Sequence, residues 1–125
     1  MLYVHNLRHM DSLNAIESFA ALSQETRLKA FRLLVQHEPE GLPAGEIAKQ
    51  LNVPHNTMSA HLSVLSQAGL VVSRRHSRSI IYRANMSHMQ VMIQFLVHDC
   101  CFGHPDVCEP IASSLSNCSP LVNES

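Results

Sequence analysis

The stretch Val53 to Leu70, V-P-H-N-T-M-S-A-H-L-S-V-L-S-Q-A-G-L, constrains the fold more than any other part of the chain. Proline tolerates the first helical turn and disfavours helix in the residue before it, so Asn52-Val53-Pro54 is a turn leading into a helix. Met58, Leu62 and Leu65 recur at i, i+4, i+7, which is a one-sided apolar stripe. The other face carries His55, Asn56, Thr57, Ser59, Ser63, Ser66 and Gln67. A solvated helix face usually carries Lys and Glu. Here the groups are short, uncharged and able to donate or accept hydrogen bonds, which suits the base edges of a DNA major groove. The plain alternative is an ordinary surface helix. Gly69 is placed to end the helix.

The flanking segments favour the DNA reading. Leu42 to Leu51, L-P-A-G-E-I-A-K-Q-L, is a second short helix with Ile47, Ala48 and Leu51 on one side, and the three-residue join makes a helix-turn-helix. Downstream, Val71 to Arg75 and Ser79 to Arg83 are β-branched runs around His76-Ser77-Arg78, a hairpin with Arg74, Arg75 and Arg78 at or near its tip. Between Glu46 and Asp99 there is no acidic residue, while Lys49, Arg74, Arg75, Arg78 and Arg83 fall inside that window. The formal net charge of −1 therefore conceals a segregated basic region, and a binding face depends on that distribution.

At 125 residues the chain has length for one domain with a modest core. Residues 1–11 are expected to be loose, 12–109 to form the domain, and 110–125, rich in Ser, Asn and Pro, to be disordered. Ser12 to Leu22 is a helix with Leu13, Ile16, Phe19 and Ala20 on one face. Ser23 reads as the N-cap of a helix from Gln24 to His37, with Leu28, Phe31, Leu34 and Val35 apolar. Asn85 to His98 is a helix with more apolar positions (Met89, Met92, Ile93, Leu96, Val97) than a small core uses, so the surplus is expected at a dimer interface. The charged and polar start of the chain is unlike a secretory signal, and no apolar run approaches a membrane span of roughly 20 residues. All four cysteines lie in the last quarter rather than spread as staples, so a cytoplasmic protein with reduced thiols and no membrane partner is expected.

The order helix, helix, helix-turn-helix, two-stranded wing, helix is that of a winged helix: mainly α with a small β-hairpin. The words A-L-S-Q-E-T-R-L-K-A-F-R-L-L (21–34), L-S-V-L-S-Q-A-G-L-V (62–71) and R-R-H-S-R (74–78) with Tyr82 resemble the ArsR/SmtB family of metal-responsive repressors over about residues 12–108. The resemblance implies a homodimer, joined through its first and last helices, that sits on double-stranded operator DNA and leaves when inducer binds. By position, His55, Asn56, Ser59 and Ala60 match the base-reading residues, with Thr57 and His61 beside them. Ala60 departs from the usual polar residue. His76-Ser77 replaces the usual Glu-Gly or Asp-Gly of the wing turn, where glycine supplies positive φ cheaply.

For the inducer, Glu46-Ile47-Ala48-Lys49 has no thiol where some family members carry a cysteine pair. His88 and His98, without a carboxylate, make a poor zinc set. The remaining cluster is H-D-C-C-F-G-H-P-D-V-C, residues 98–108. Cys100 and Cys101 are adjacent, and Cys108 follows a break expected at Gly103 and Pro105. Three soft thiolates suit a centre that prefers three pyramidal bonds, as trivalent arsenic or antimony does, whereas zinc prefers four ligands. A thiol redox pair, buried structural cysteines, or a Zn/Cd site completed by His98, His104 or Asp106 remain open on the residues alone. C-terminal C-C-x(5 or 6)-C triads also resemble those of arsenite-responsive family members, which implies As(III) as inducer, inorganic or methylated. A methylated arsenical needs only two thiols, and Cys118 is a spare. No nucleophile triad or phosphate-binding glycine loop is visible, so an enzyme is not expected.

Overall fold

A computed structural model describes residues 10–101 and Pro110. The elements are α1 (Ser12–Leu22), α2 (Glu25–Gln36), β1 (Leu42–Pro43), α3 (Ala44–Leu51), α4 (His55–Gln67), β2 (Val71–His76), β3 (Ser79–Ala84) and α5 (Met86–Cys101). The chain divides into two compact units between Met92 and Ile93. The first unit is a winged helix-turn-helix. Cys108, Cys118, His104, Asp106, the segment 1–9 and the tail 111–125 lie outside the described residues.

The core forms where the helical stripes converge. Leu34 of α2, Ile47 of α3, Met58, Leu62 and Leu65 of α4, and Leu70 are all fully buried. Helix α4 packs against α1, α2, α3 and β2, so its apolar stripe is the axis of the first unit. The join before it is left-handed at Asn52 (φ 56°), and Pro54 is the extended N-cap just ahead of the first helical residue, His55. Helix α4 ends at Ala68, and Gly69 follows with φ +84°. A Cβ at Gly69 would also stand 3.1 Å from the His88 ring, so both backbone and space call for glycine there.

Two expectations are corrected. Leu42–Pro43 is not the start of the third helix. It is a short strand on β3, pairing Leu42 with Tyr82 and Pro43 with Ile81, so the wing becomes a three-stranded antiparallel sheet of order β1-β3-β2. Proline at 43 steers Leu42 to extended backbone, and α3 then starts at Ala44. Ser23 does not cap α2. Its Oγ donates to Ala20 O at the end of α1, and the Gln24 side chain caps α2 by accepting from Arg27 N. Helix α1 buries its small face, Ala15, Ser18 and Ala21, and leaves Leu13, Ile16 and Phe19 exposed. Leu28 is also exposed. At the start of α1, Asp11 Oδ1 accepts from Asn14 N at 2.8 Å, and Met10 is buried.

Ser18 is the buried polar residue of this core. Its Oγ lies 2.8 Å from His88 Nε2. Burial pushes the His88 imidazole below its ordinary value because the site disfavours charge. Below about pH 6.5 the unfolded chain therefore takes up a proton that the folded site resists. The stability this residue contributes is whole above that pH and is lost as pH falls through it. Urea midpoints taken at about pH 8 and about pH 5 should drop more for the wild type than for His88→Gln. Parallel drops would show that His88 carries none of the dependence.

Candidate nucleic-acid interface

The buried stripe of α4 determines what its other side presents. With Met58, Leu62 and Leu65 held in the core, His55, Asn56, Thr57, Ser59, Ser63, Ser66 and Gln67 are exposed. The first turn carries no acidic residue. Unoccupied backbone N–H groups, a positive dipole end and short hydrogen-bonding side chains thus coincide at one end of the helix. His55 lies over Gly45 of α3, with its ring 3.8 Å from where a Cβ would sit. His61 turns inward: its Nδ1 is 3.4 Å from Arg27 Nη1, and Arg27 Nε donates to Ala21 O. His61 is thereby placed between α4 and α2, off the open face that holds Asn56 and Ser59. Ala60 is exposed and offers only a methyl group.

The wing is a regular ladder from Val71↔Ala84 to His76↔Ser79. Ser77 has φ 59°, supplying the positive φ that a glycine usually provides. Arg74, Arg75 and Arg78 are exposed. Arg74 faces Ile81 across the ladder and Arg75 faces Ile80, so successive side chains project to opposite sides of the sheet. The wing can therefore bring cations to bear on either side of its ribbon. Arg83 behaves differently. Its Nη2 donates to Glu38 Oε1 at 2.8 Å and its Nε to Oε2 at 3.3 Å. This bidentate pair raises the Arg83 pKa and spends its charge on holding the sheet to the loop after α2. The basic surface is smaller by one charge than the sequence window implied, because the partner carboxylate comes from outside that window.

Cys100 and Cys101 lie at the end of α5, in consecutive helical positions. The helix expected from Asn85 to His98 begins one residue later, at Met86, and runs three residues further, to Cys101. Among the described residues no group of three or more His, Cys, Asp and Glu could hold a metal ion. Also among them, no helix is long and apolar enough to cross a membrane.

Residues 22–74 match the family profile of a helix-turn-helix domain. The transcriptional repressor SdpR of Bacillus subtilis is 31% identical over 80 residues, covering 64% of this chain and 86% of SdpR. An ArsR-like transcriptional regulator from Rhodococcus has a similar structure, with a TM-score of 0.64 and 25% identity over 86% of this chain and 94% of that one. The homodimeric winged helix-turn-helix domain of a possible ArsR-family regulator from Mycobacterium bovis shares the fold, with a TM-score of 0.57 and 24% identity over 73% and 85% of the two chains. The helix-turn-helix with an exposed polar face, the arginine-bearing wing and these likenesses agree: the chain belongs to the ArsR/SmtB family of winged helix-turn-helix transcriptional regulators.

Proposed function

We propose that the protein is an arsenic-responsive transcriptional repressor. It binds double-stranded operator DNA as a homodimer through α4 and the wing, and is released when As(III) binds the thiolates of Cys100, Cys101 and Cys108. The observation that carries the inducer reading is the adjacent thiol pair at the end of α5, followed by Cys108 beyond Gly103 and Pro105. Consecutive helical positions lie about 100° apart around the axis and 1.5 Å apart along it, so two such residues belong to one turn and a third donor must come from the following chain. A pyramidal As(III) centre needs three such donors, and Sb(III) has the same requirement. Inducer lowers DNA affinity only if it prefers the conformation that binds DNA poorly.

The DNA reading rests on two chemically distinct parts. Asn56 and Ser59 sit on the open face at the N-terminal half of α4, where side chains meet base edges, with His55 and Thr57 beside them. Arg74, Arg75 and Arg78 supply backbone charge contacts. The dimer reading rests on α1, whose Leu13 and Ile16 are 65% and 63% exposed although each is a large apolar side chain. SdpR, to which the chain is similar, is itself a repressor.

Three outcomes test this reading. Arg75→Ala with Arg78→Ala should weaken binding to every duplex and reduce the salt slope by roughly one for each phosphate that a subunit no longer neutralises. An unchanged slope would remove the wing from the interface. Ile16→Asp changes an exposed position, so it should leave the fold intact yet yield monomers by sedimentation, without tight operator binding. A dimeric Ile16→Asp protein would place the interface elsewhere. Cys100→Ser, Cys101→Ser and Cys108→Ser should each retain operator binding and lose release by arsenite, read by fluorescence anisotropy. Cys108→Ser should still respond to a methylated arsenical, which needs two thiols, and Cys118→Ser should behave as wild type. Because thiolates are the ligands, release should weaken as pH falls. Normal arsenite release by Cys100→Ser refutes the triad, and release by peroxide or zinc instead would identify a redox or Zn/Cd sensor.

A further inference from the structure

The exit of the reading helix is held by an unusual concentration of polar contacts. Three successive carbonyls, of Ala68, Gly69 and Leu70, each receive a donor from outside α4. Ser18 Oγ of α1 approaches Ala68 O at 3.5 Å, Asn85 Nδ2 donates to Gly69 O at 3.0 Å, and Asn85 N donates to Leu70 O at 2.8 Å. His88 of α5 holds both donors in place. Its backbone N–H donates to Asn85 Oδ1 at 3.2 Å, and its Nε2 lies 2.8 Å from Ser18 Oγ. Its ring also stands 3.1 Å from where a Cβ on Gly69 would sit. We propose that Ser18, Asn85 and His88 form a polar latch that sets the orientation of the recognition helix, with His88 as a positioning residue for sequence-specific DNA binding. The proposal rests on the DNA-binding reading above.

The protons in the latch can be assigned. Ser18 has a single hydroxyl proton and two neighbours that could take it, His88 Nε2 and Ala68 O. If Nε2 is the acceptor, Ala68 O loses its donor. If Nε2 carries the hydrogen, it donates to Ser18 Oγ, the hydroxyl turns to Ala68 O, and all three groups are served. The other ring nitrogen is compatible with this tautomer: Nδ1 would stand 3.2 Å from a Cβ on Gly69, and among the described residues it makes no hydrogen bond that would require a proton there. The imidazole is thus a fixed donor whose position is transmitted through one hydroxyl to the helix end.

Position at that end matters because α4 is a lever. Its 13 residues span about 20 Å, so a tilt of about 5° at the exit moves the reading end by roughly 1.7 Å. A shift of that size breaks side-chain hydrogen bonds to base edges, whose geometry is narrow, and hardly changes charge attraction to phosphates. Loss of the latch should therefore act on specificity more than on general DNA affinity. Polar groups from Glu17, Gln67, Asn14 and Ser87 face the same groove, but Ser18 and His88 are the pair in direct contact.

The test uses the full chain and a duplex enriched by the wild-type protein from a randomised pool, with a scrambled duplex as control. Ser18→Ala and His88→Leu should keep their circular dichroism and dimeric state and bind the scrambled duplex as the wild type does. Their affinity for the enriched duplex should fall about tenfold, the scale of one hydrogen bond. His88→Gln, which retains an N–H donor, should recover most of that loss. Nitrogen-15 NMR of the wild-type imidazole should show Nε2 protonated and Nδ1 bare. Undiminished affinity of both variants for the enriched duplex, equal losses on the two duplexes, or a ring protonated at Nδ1 would overturn the latch. Failure of the wild type to enrich any sequence would instead overturn the DNA-binding reading on which the latch depends.

Discussion

Burial of Met58, Leu62 and Leu65 is the constraint from which the rest of the architecture follows. A helix has only one way to hide a stripe with that spacing, so fixing the stripe against Leu34, Ile47 and Leu70 also fixes which side chains face outward. The outward set is short and polar, and its first turn is free of acids. Fully burying a Leu or Met side chain stabilises by about 1.5–3 kcal/mol, so rotating this helix to present other residues would forfeit several such terms at once. Stability and the choice of exposed face are therefore the same packing event.

Charge adds a second layer. The acid-free window from Ile47 to His98 makes the wing basic, yet Arg83 is withdrawn from it by Glu38. The pair ties β3 to the loop after α2, and β1 reinforces the same junction by adding Leu42 and Pro43 to the sheet edge. The ribbon that carries Arg74, Arg75 and Arg78 is thus anchored at its base while its tip is exposed. Anchoring lowers the conformational cost of bringing those cations to a phosphate backbone.

A third layer is the way the first and last helices reach the reading helix. Both touch its exit: α1 through Ser18, α5 through His88 and the preceding Asn85. Helix α1 does so with its small face, which leaves Leu13, Ile16 and Phe19 open to a partner. A dimer joined through α1 would therefore hold, in one helix, both its interface and a contact to the DNA-reading element. A ligand that repositions α1 or the first turn of α5 has a short polar route to α4.

Much of this was legible in the sequence, and the failures have physical causes. The helix-turn-helix, the wing hairpin and the limits of α4 follow from periodicity, Pro54, Gly69 and the β-branched runs, because these are local preferences that act within a few residues. The shared face of Leu13, Ile16 and Phe19 was legible, but not that Ala15, Ser18 and Ala21 are the residues α1 buries: close approach to α4 needs small side chains, and periodicity does not register size. Ser23 looked like a cap for α2, but either end of a tight join can claim a hydroxyl, and Ala20 O took it. The Leu42–Pro43 strand, the Arg83–Glu38 pair and the Ser18–His88 contact join residues roughly 40 to 70 positions apart, and nothing local announces them. The sequence by itself determined the helices, the wing hairpin, the outward polar face of α4 and the thiol cluster, because spacing and residue chemistry are intrinsic to it. Which arginine stays free, which helix face stays uncovered and what holds the reading helix by its end were decided only in three dimensions, where distant groups compete for the same partners.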